Sequence, residues 1–152
     1  MKLTKEQAST INEALAILQS QMIGERFSIN GPTAVKRFLQ LKMASLKAES
    51  FCVMFLDTKL GVIAFEEMFK GTLNQCPVFT RDIAKAALLY DADAIVLVHN
   101  HPAGSIDPSP EDKRMTGKIR EAMELLKIRV LDHVIVGSTT KMFSFSESGL
   151  ID

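Results

Sequence analysis

Apolar residues recur at helical spacing over the first part of the chain. Thr4 and Gln7 form a capping-box pattern, and the apolar stripe that follows is Ile11, Leu15, Leu18 and Met22. This pattern predicts a helix from Thr4 to Met22 that packs against its own domain. A second helix is predicted from Thr33, after a Gly-Pro break in the chain.

Apolar runs in the rest of the chain predict a β-sheet. The run Ala94 to Val98 is apolar at every position, which is typical of a central strand covered on both faces. Ser50 to Leu56 also predicts a buried strand, and the turn-like residues after it make Val62 to Phe69 the returning arm of a hairpin. Two strands are predicted near the C-terminus, from Arg129 to Val136 and from Lys141 to Phe145.

Two further helices are predicted between these strands. Thr80 can cap a helix from Arg81 to Tyr90, and a longer helix follows the Pro- and Gly-containing loop after His101. The apolar stripe of the longer helix is Met115, Ile119, Met123 and Leu126. These elements, with no internal repeat or linker between them, predict an α+β fold: a single domain with a mixed β-sheet and flanking helices.

The composition limits the classes of function. A chain of 152 residues with 47% apolar composition suits one compact domain. The 18 basic and 18 acidic side chains cancel, so the chain lacks the basic surplus that draws proteins to nucleic-acid backbones. Cys52 and Cys76 form no C-x-x-C pair, and the sequence has neither a signal-peptide pattern nor a membrane-spanning run. We therefore expect a cytoplasmic protein with no membrane partner.

The segment from His99 to Asp112 carries the candidate chemistry. His99 and His101 stand two residues apart at the end of a predicted strand, so their imidazoles leave on the same side. Asp112 stands at the start of the next helix, and a tight loop can fold its carboxylate back towards the histidines. Three such ligands leave the fourth tetrahedral position to water, which is the arrangement of catalytic zinc.

Each of these residues also has an interpretation without a metal. Ser109 and Asp112 form an S-x-x-D capping pattern with a proline at the first helical position, and two neighbouring histidines can be structural. The joint pattern at the mouth of a buried strand favours the metal site. His133 lies on a predicted strand. The preferred interpretation is a structural histidine, either exposed or hydrogen-bonded within the core, and the alternative is a histidine that hydrogen-bonds to a metal ligand.

The same segment matches the JAMM motif of MPN-domain metalloproteases, H-x-H-x7-S-x2-D, at every defined position. The sequences FLDTK, FKGTLN, HNHPAGSIDPSPED, LDHVIVG and FSFSESGL resemble the bacterial RadC-like proteins. The resemblance runs from about Glu25 to the C-terminus. It implies an MPN/JAB-type (cytidine-deaminase-like) domain over residues 25–152, preceded by an N-terminal helix over residues 1–24. It does not extend to the helix-hairpin-helix region of larger RadC-like proteins, so their association with DNA is not carried over.

The resemblance also implies roles for individual residues. It implies Zn²⁺ bound by His99, His101 and Asp112, with Ser109 donating a hydrogen bond to the developing oxyanion. JAMM enzymes need a glutamate general base from an upstream strand, for which Glu66 and Glu67 are the candidates. Adjacent strand residues point to opposite faces, so at most one of them faces the zinc. The RadC-like pattern favours Glu66.

Three functions are consistent with these features. The leading hypothesis is a zinc metallopeptidase or isopeptidase that acts on a protein or peptide, alone, as a homo-oligomer or within an assembly. The second is a RadC-like accessory module in DNA repair or mobile-element biology that binds DNA or protein without proteolysis, and the third is a metal-dependent nuclease. The neutral charge disfavours the functions that involve DNA.

Overall fold

The computed structural model describes residues 4–24, 32–44, 46–71, 78–137 and 141–151. Within these residues, helices flank a mixed sheet. The helices are α1 (Lys5–Gly24), α2 (Pro32–Ala44), α3 (Thr80–Leu89) and α4 (Pro110–Leu125). The strands are β1 (Ser50–Leu56), β2 (Val62–Lys70), β3 (Ala94–Asn100), β4 (Arg129–Val136) and β5 (Met142–Ser144).

The strands form one sheet in the order β2-β1-β3-β4-β5. β1 pairs antiparallel with both β2 and β3, β5 pairs antiparallel with β4, and β3 pairs parallel with β4. A parallel pair needs a crossover connection, and α4 supplies it between β3 and β4. The N-terminus of α4 therefore follows directly from the carboxyl end of β3.

The core lies on both faces of this sheet. One layer packs α2 against alternate residues of β1 and β3: Phe38, Leu39, Met43, Cys52, Met54, Leu56, Ala94, Val96 and Val98. The other layer packs α3 and α4 against the remaining residues of these strands: Phe51, Val53, Phe55, Ile83, Ala87, Ile95, Leu97, Ile119 and Met123. Because side chains alternate along a strand, His99 leaves β3 on the face covered by α3 and α4.

The structure confirms the predicted α+β architecture and its five strands. The predicted capping box of α1 is also present: the Gln7 amide donates to Thr4 Oγ1 at 3.2 Å, and the Thr4 amide donates to Gln7 Oε1 at 2.9 Å. α1 packs within the chain, against α2 and β2, and Leu15 on this helix is buried. The predicted stripe residues Leu18 and Met22 lie outside the part of the chain whose side chains the structure describes, and so does Cys76.

The predicted cap of α3 is wrong. Thr80 is already the first helical residue, and Phe79 occupies the N-cap position with no side-chain cap hydrogen bond. The Phe79 carbonyl accepts the first helical hydrogen bonds, from the amides of Asp82 and Ile83. A β-branched hydroxyl residue one position inside a helix contributes its backbone to the first turn rather than its hydroxyl.

Among the described residues, no helix is long and apolar enough to cross a membrane.

Candidate metal centre

The end of β3 presents the two motif histidines to one point. His99 is buried on β3, and His101 follows immediately after the strand, where its amide donates to the Val136 carbonyl at 2.9 Å. The two Nε2 atoms lie 2.8 Å apart. His101 Nδ1 lies 2.8 Å from the Ser105 carbonyl oxygen, which can only accept a hydrogen bond. His101 Nδ1 therefore carries a proton, and the Nε2 atom of the same ring faces His99.

The loop from His101 to Ser109 lies against the end of β4 because residue 137 is glycine. A Cβ atom at Gly137 would meet the Ile106 Cγ2 atom at 2.8 Å and the Gly104 carbonyl oxygen at 3.2 Å. Gly104 itself has a φ of 92°, which favours glycine. These two glycines let the loop turn tightly and return the chain to the start of α4 beside the histidines.

Asp112 joins the histidines and at the same time caps α4. Its Oδ2 accepts hydrogen bonds from the Ser109 amide at 2.8 Å and the Ser109 hydroxyl at 2.7 Å, while its own amide donates to Ser109 Oγ at 3.0 Å. Its Oδ1 lies 3.4 Å from His99 Nε2. The capping box and the proposed ligand role are thus compatible, because the cap uses one carboxylate oxygen and leaves the other facing His99.

The donor atoms fit a tetrahedral zinc ion. Zinc–nitrogen and zinc–oxygen bonds of about 2.0–2.1 Å at tetrahedral angles place two ligand atoms roughly 3.3 Å apart. The two Nε2 atoms are 2.8 Å apart, His99 Nε2 and Asp112 Oδ1 are 3.4 Å apart, and His101 Nε2 and Asp112 Oδ2 are 3.8 Å apart. Two imidazoles and a carboxylate are also the donor types that zinc selects in catalytic sites.

Glu49 is a fourth residue of this cluster. Its carboxylate offers an oxygen within 4.8 Å of nitrogen atoms of both His99 and His101. Burial raises the pKa of Glu49 above its ordinary value; the nearby His101 opposes this shift, and Asp112 adds to it. Glu49, His99 and His101 thus form a group that could hold a metal ion, and the Asp112 oxygens lie 3.4 and 3.8 Å from the Nε2 atoms of these histidines.

Asn100, which separates the two histidines, fixes the chain on both sides of Glu49. Its Oδ1 accepts from the Ser50 amide at 2.7 Å, and its Nδ2 donates to the Ala48 carbonyl at 3.0 Å. Asn100 is buried, and its side chain leaves the strand on the face opposite to His99. Asn100 therefore holds the segment that enters β1.

The structure does not bring Glu66 or Glu67 to the histidines. Glu66 is opposite Val53 of β1, and Val53 is opposite Leu97 of β3, two residues before His99. β1 thus lies between Glu66 and β3, and the Glu66 carboxylate accepts a hydrogen bond from the Tyr90 hydroxyl. Glu67 is exposed on the other face.

The glutamate that the structure places beside the histidines is Glu49, not Glu66. In the antiparallel β1–β3 pair, the start of β1 lies beside the end of β3, where Phe51 is opposite His99. The segment that enters β1 therefore reaches the site, and the middle of β2 does not. The sequence signal that could have identified Glu49 is an acidic residue immediately before a buried strand.

Two buried polar residues support His99 from behind. His99 Nδ1 lies 2.7 Å from His133 Nε2, and His133 Nδ1 lies 2.6 Å from Thr116 Oγ1. Burial lowers the pKa of His99 to about 4, with Asp112 acting in the opposite direction, and lowers the pKa of His133 well below its ordinary value. Both imidazoles are therefore neutral at pH 7. The sequence alone did not single out Thr116, because its partner His133 lies on another element.

Comparison with known proteins identifies relatives of this chain. The RadC-like JAB domain family matches residues 29–150. UPF0758 proteins are similar to it: one from Janthinobacterium sp. (strain Marseille) is 45% identical over 122 residues, covering 80% of this chain and 54% of the relative. Another from Variovorax paradoxus (strain S110) is 42% identical over 145 residues, covering 91% and 64%. The chain thus spans between about half and two thirds of the length of these relatives.

The two buried histidines make the stability of the metal-free protein depend on pH. Their folded-state pKa values lie below the ordinary value of 6.5, so on acidification the unfolded chain binds protons that the folded chain does not. We expect this contribution to be fully present above pH 6.5 and to decline as the pH falls towards about 4. The slope is about 1.4 kcal/mol per pH unit for each histidine. Urea unfolding in the presence of a chelator measures it.

His133→Gln is the matched control for this pH dependence. Glutamine keeps a hydrogen-bond donor and an acceptor but does not titrate. Over the same pH interval, the free energy of unfolding of this variant should fall less steeply. The slope should be smaller by about the contribution of one bound proton. Carboxylates titrate equally in both proteins, so an identical slope would show that His133 does not contribute.

Proposed function

This chain belongs to the RadC-like JAB domain family, and we propose that it is a zinc-dependent hydrolase that cleaves amide bonds in a protein or peptide. The observation that carries the proposal is the convergence of Glu49, His99, His101 and Asp112 at one position. These residues come from the start of β1, the end of β3 and the start of α4. Such a set combines metal ligands with an acid–base group, as hydrolysis of an amide requires.

The ligands in this proposal are His99, His101 and Asp112. A zinc ion held by them would lower the pKa of a bound water and polarise the substrate carbonyl. The chain contributes the geometry, because burial keeps the His99 imidazole neutral by lowering its pKa and Asp112 is held by its own helix cap. The deep burial of His99 and Asp112 limits access of water to one side of the site.

Glu49 is the general base in this proposal. It is half-buried beside His101, and its raised pKa brings it closer to the neutral range, where a general base works best. Its carboxylate would accept a proton from the attacking water and return that proton to the leaving amine nitrogen. Asn100 keeps the backbone around Glu49 fixed during these transfers.

Ser109 stabilises the oxyanion in this proposal. Its hydroxyl donates to Asp112 Oδ2, while its amide makes a second, independent hydrogen bond to the same oxygen. The hydroxyl can therefore turn to a developing negative charge without releasing Asp112 from the cap. A donor that is used only as charge develops stabilises the transition state more than the bound substrate.

We predict that zinc binding and helix capping separate in two variants. Asp112→Asn retains an oxygen that accepts the Ser109 amide but replaces the charged ligand, so bound zinc should be lost with little change in stability. Ser109→Ala should retain zinc and lower the free energy of unfolding by about 1 kcal/mol, because a cap is lost. Mass spectrometry of metal content and urea unfolding measure the two effects. Zinc retained by Asp112→Asn would remove Asp112 from the ligand set.

We predict that Glu49, not Glu66, is required for hydrolysis. Glu49→Gln should lower the rate by about 10² to 10⁴, because the general base is lost, while zinc content stays near one ion per chain. Glu66→Gln is the matched control, since the same change in the neighbouring strand removes only a contact with Tyr90.

Peptide libraries, isopeptide-linked substrates and DNA should be offered to the same preparations. Cleavage of amides that depends on Glu49 supports the proposal. Cleavage of DNA, or salt-sensitive DNA binding without amide hydrolysis, would instead support the nuclease or the accessory module.

A further inference from the structure

A chain of hydrogen bonds runs through the core behind the metal centre and joins two of its proposed ligands. It begins at the backbone carbonyl of Asp112, to which Thr116 Oγ1 donates at 2.6 Å. It continues through His133 on β4 and ends at His99 Nδ1 on β3, with separations of 2.6 and 2.7 Å. All four residues are buried. Water therefore does not compete for these hydrogen bonds.

The direction of each hydrogen bond follows from the first. A backbone carbonyl only accepts, so the single proton of the Thr116 hydroxyl points to Asp112. Thr116 Oγ1 can then only accept from His133, which places the His133 proton on Nδ1. A neutral imidazole with its proton on Nδ1 has a lone pair on Nε2. His133 Nε2 must therefore accept from His99 Nδ1.

We infer that Thr116 and His133 are positioning residues that hold His99 in the Nδ1–H tautomer, so that its Nε2 lone pair is directed at the metal centre. His101 is held in a similar way, because its Nδ1 donates directly to the Ser105 carbonyl. The two Nε2 atoms lie 2.8 Å apart, and this arrangement suits a cation that binds both rings.

This inference rests on the proposed function only for the identity of the ion. The tautomer of His99 follows from the hydrogen bonds alone and exists without metal. Partners of this kind orient a ligating histidine and raise its basicity, and their loss typically weakens metal binding by 10- to 100-fold.

Thr116→Val and Thr116→Ser form the matched pair that tests the inference. Valine has nearly the shape of threonine but lacks the hydroxyl, whereas serine keeps it. We expect zinc, measured by competition with a chromophoric chelator, to bind 10- to 100-fold more weakly to Thr116→Val. Binding to Thr116→Ser should stay within about threefold of the wild type. Equal affinity of all three proteins would overturn the inference.

Long-range ¹H–¹⁵N NMR of the imidazole nitrogens is the second measurement, on the metal-free wild-type protein. This measurement needs no variant and no bound zinc. It therefore tests the inference even if Thr116→Val fails to fold or if the proposed function is wrong. We expect protonated Nδ1 and unprotonated Nε2 in both His99 and His133. A proton on Nε2 of either ring would overturn the inference. The expected tautomers in a protein that binds no zinc would overturn only the proposed function.

Discussion

The parallel pairing of β3 with β4 is the constraint from which the site follows. Parallel neighbours cannot be joined by a tight turn, so the chain leaves the carboxyl end of β3, crosses over through α4 and enters β4 at the opposite end of the sheet. This crossover places the N-terminus of α4 beside the residues that end β3. His99 and His101 then face Asp112 without any distortion of the strand, and the two glycines of the connection let the loop lie close to the end of β4.

Local pattern was sufficient for the elements and for bringing together the motif residues His99, His101 and Asp112, which lie close in sequence. The period of a strand places His99 and His101 on one side, and the S-x-x-D pattern marks the start of α4. Glu49 was missed because its proximity to His99 depends on the antiparallel register between β1 and β3, which no local pattern encodes. His133 and Thr116 were undervalued for the same reason. The wrong cap of α3 has a different origin: a helix boundary can shift by one residue.

Two interpretations of Asp112 that compete at the level of sequence are compatible with each other in the structure. A carboxylate has two oxygens, and here Oδ2 completes the capping box while Oδ1 faces His99. The cap therefore orients the carboxylate, because the geometry that begins α4 also fixes the direction of Oδ1. A motif can combine a structural and a chemical requirement when one side chain offers two equivalent atoms.

The hydrogen bonds of Asn100 have a mechanical consequence. The tripeptide His99-Asn100-His101 turns two side chains towards the metal centre and the third towards the backbone that carries Glu49. One short segment of main chain thus positions both the two histidines and the backbone that carries Glu49. If β3 shifts along its axis, Glu49 and the two histidines shift together, so their separation stays constant while their position in the sheet changes. The spacing is then set by two hydrogen bonds to one short segment and tolerates small movements of the surrounding fold.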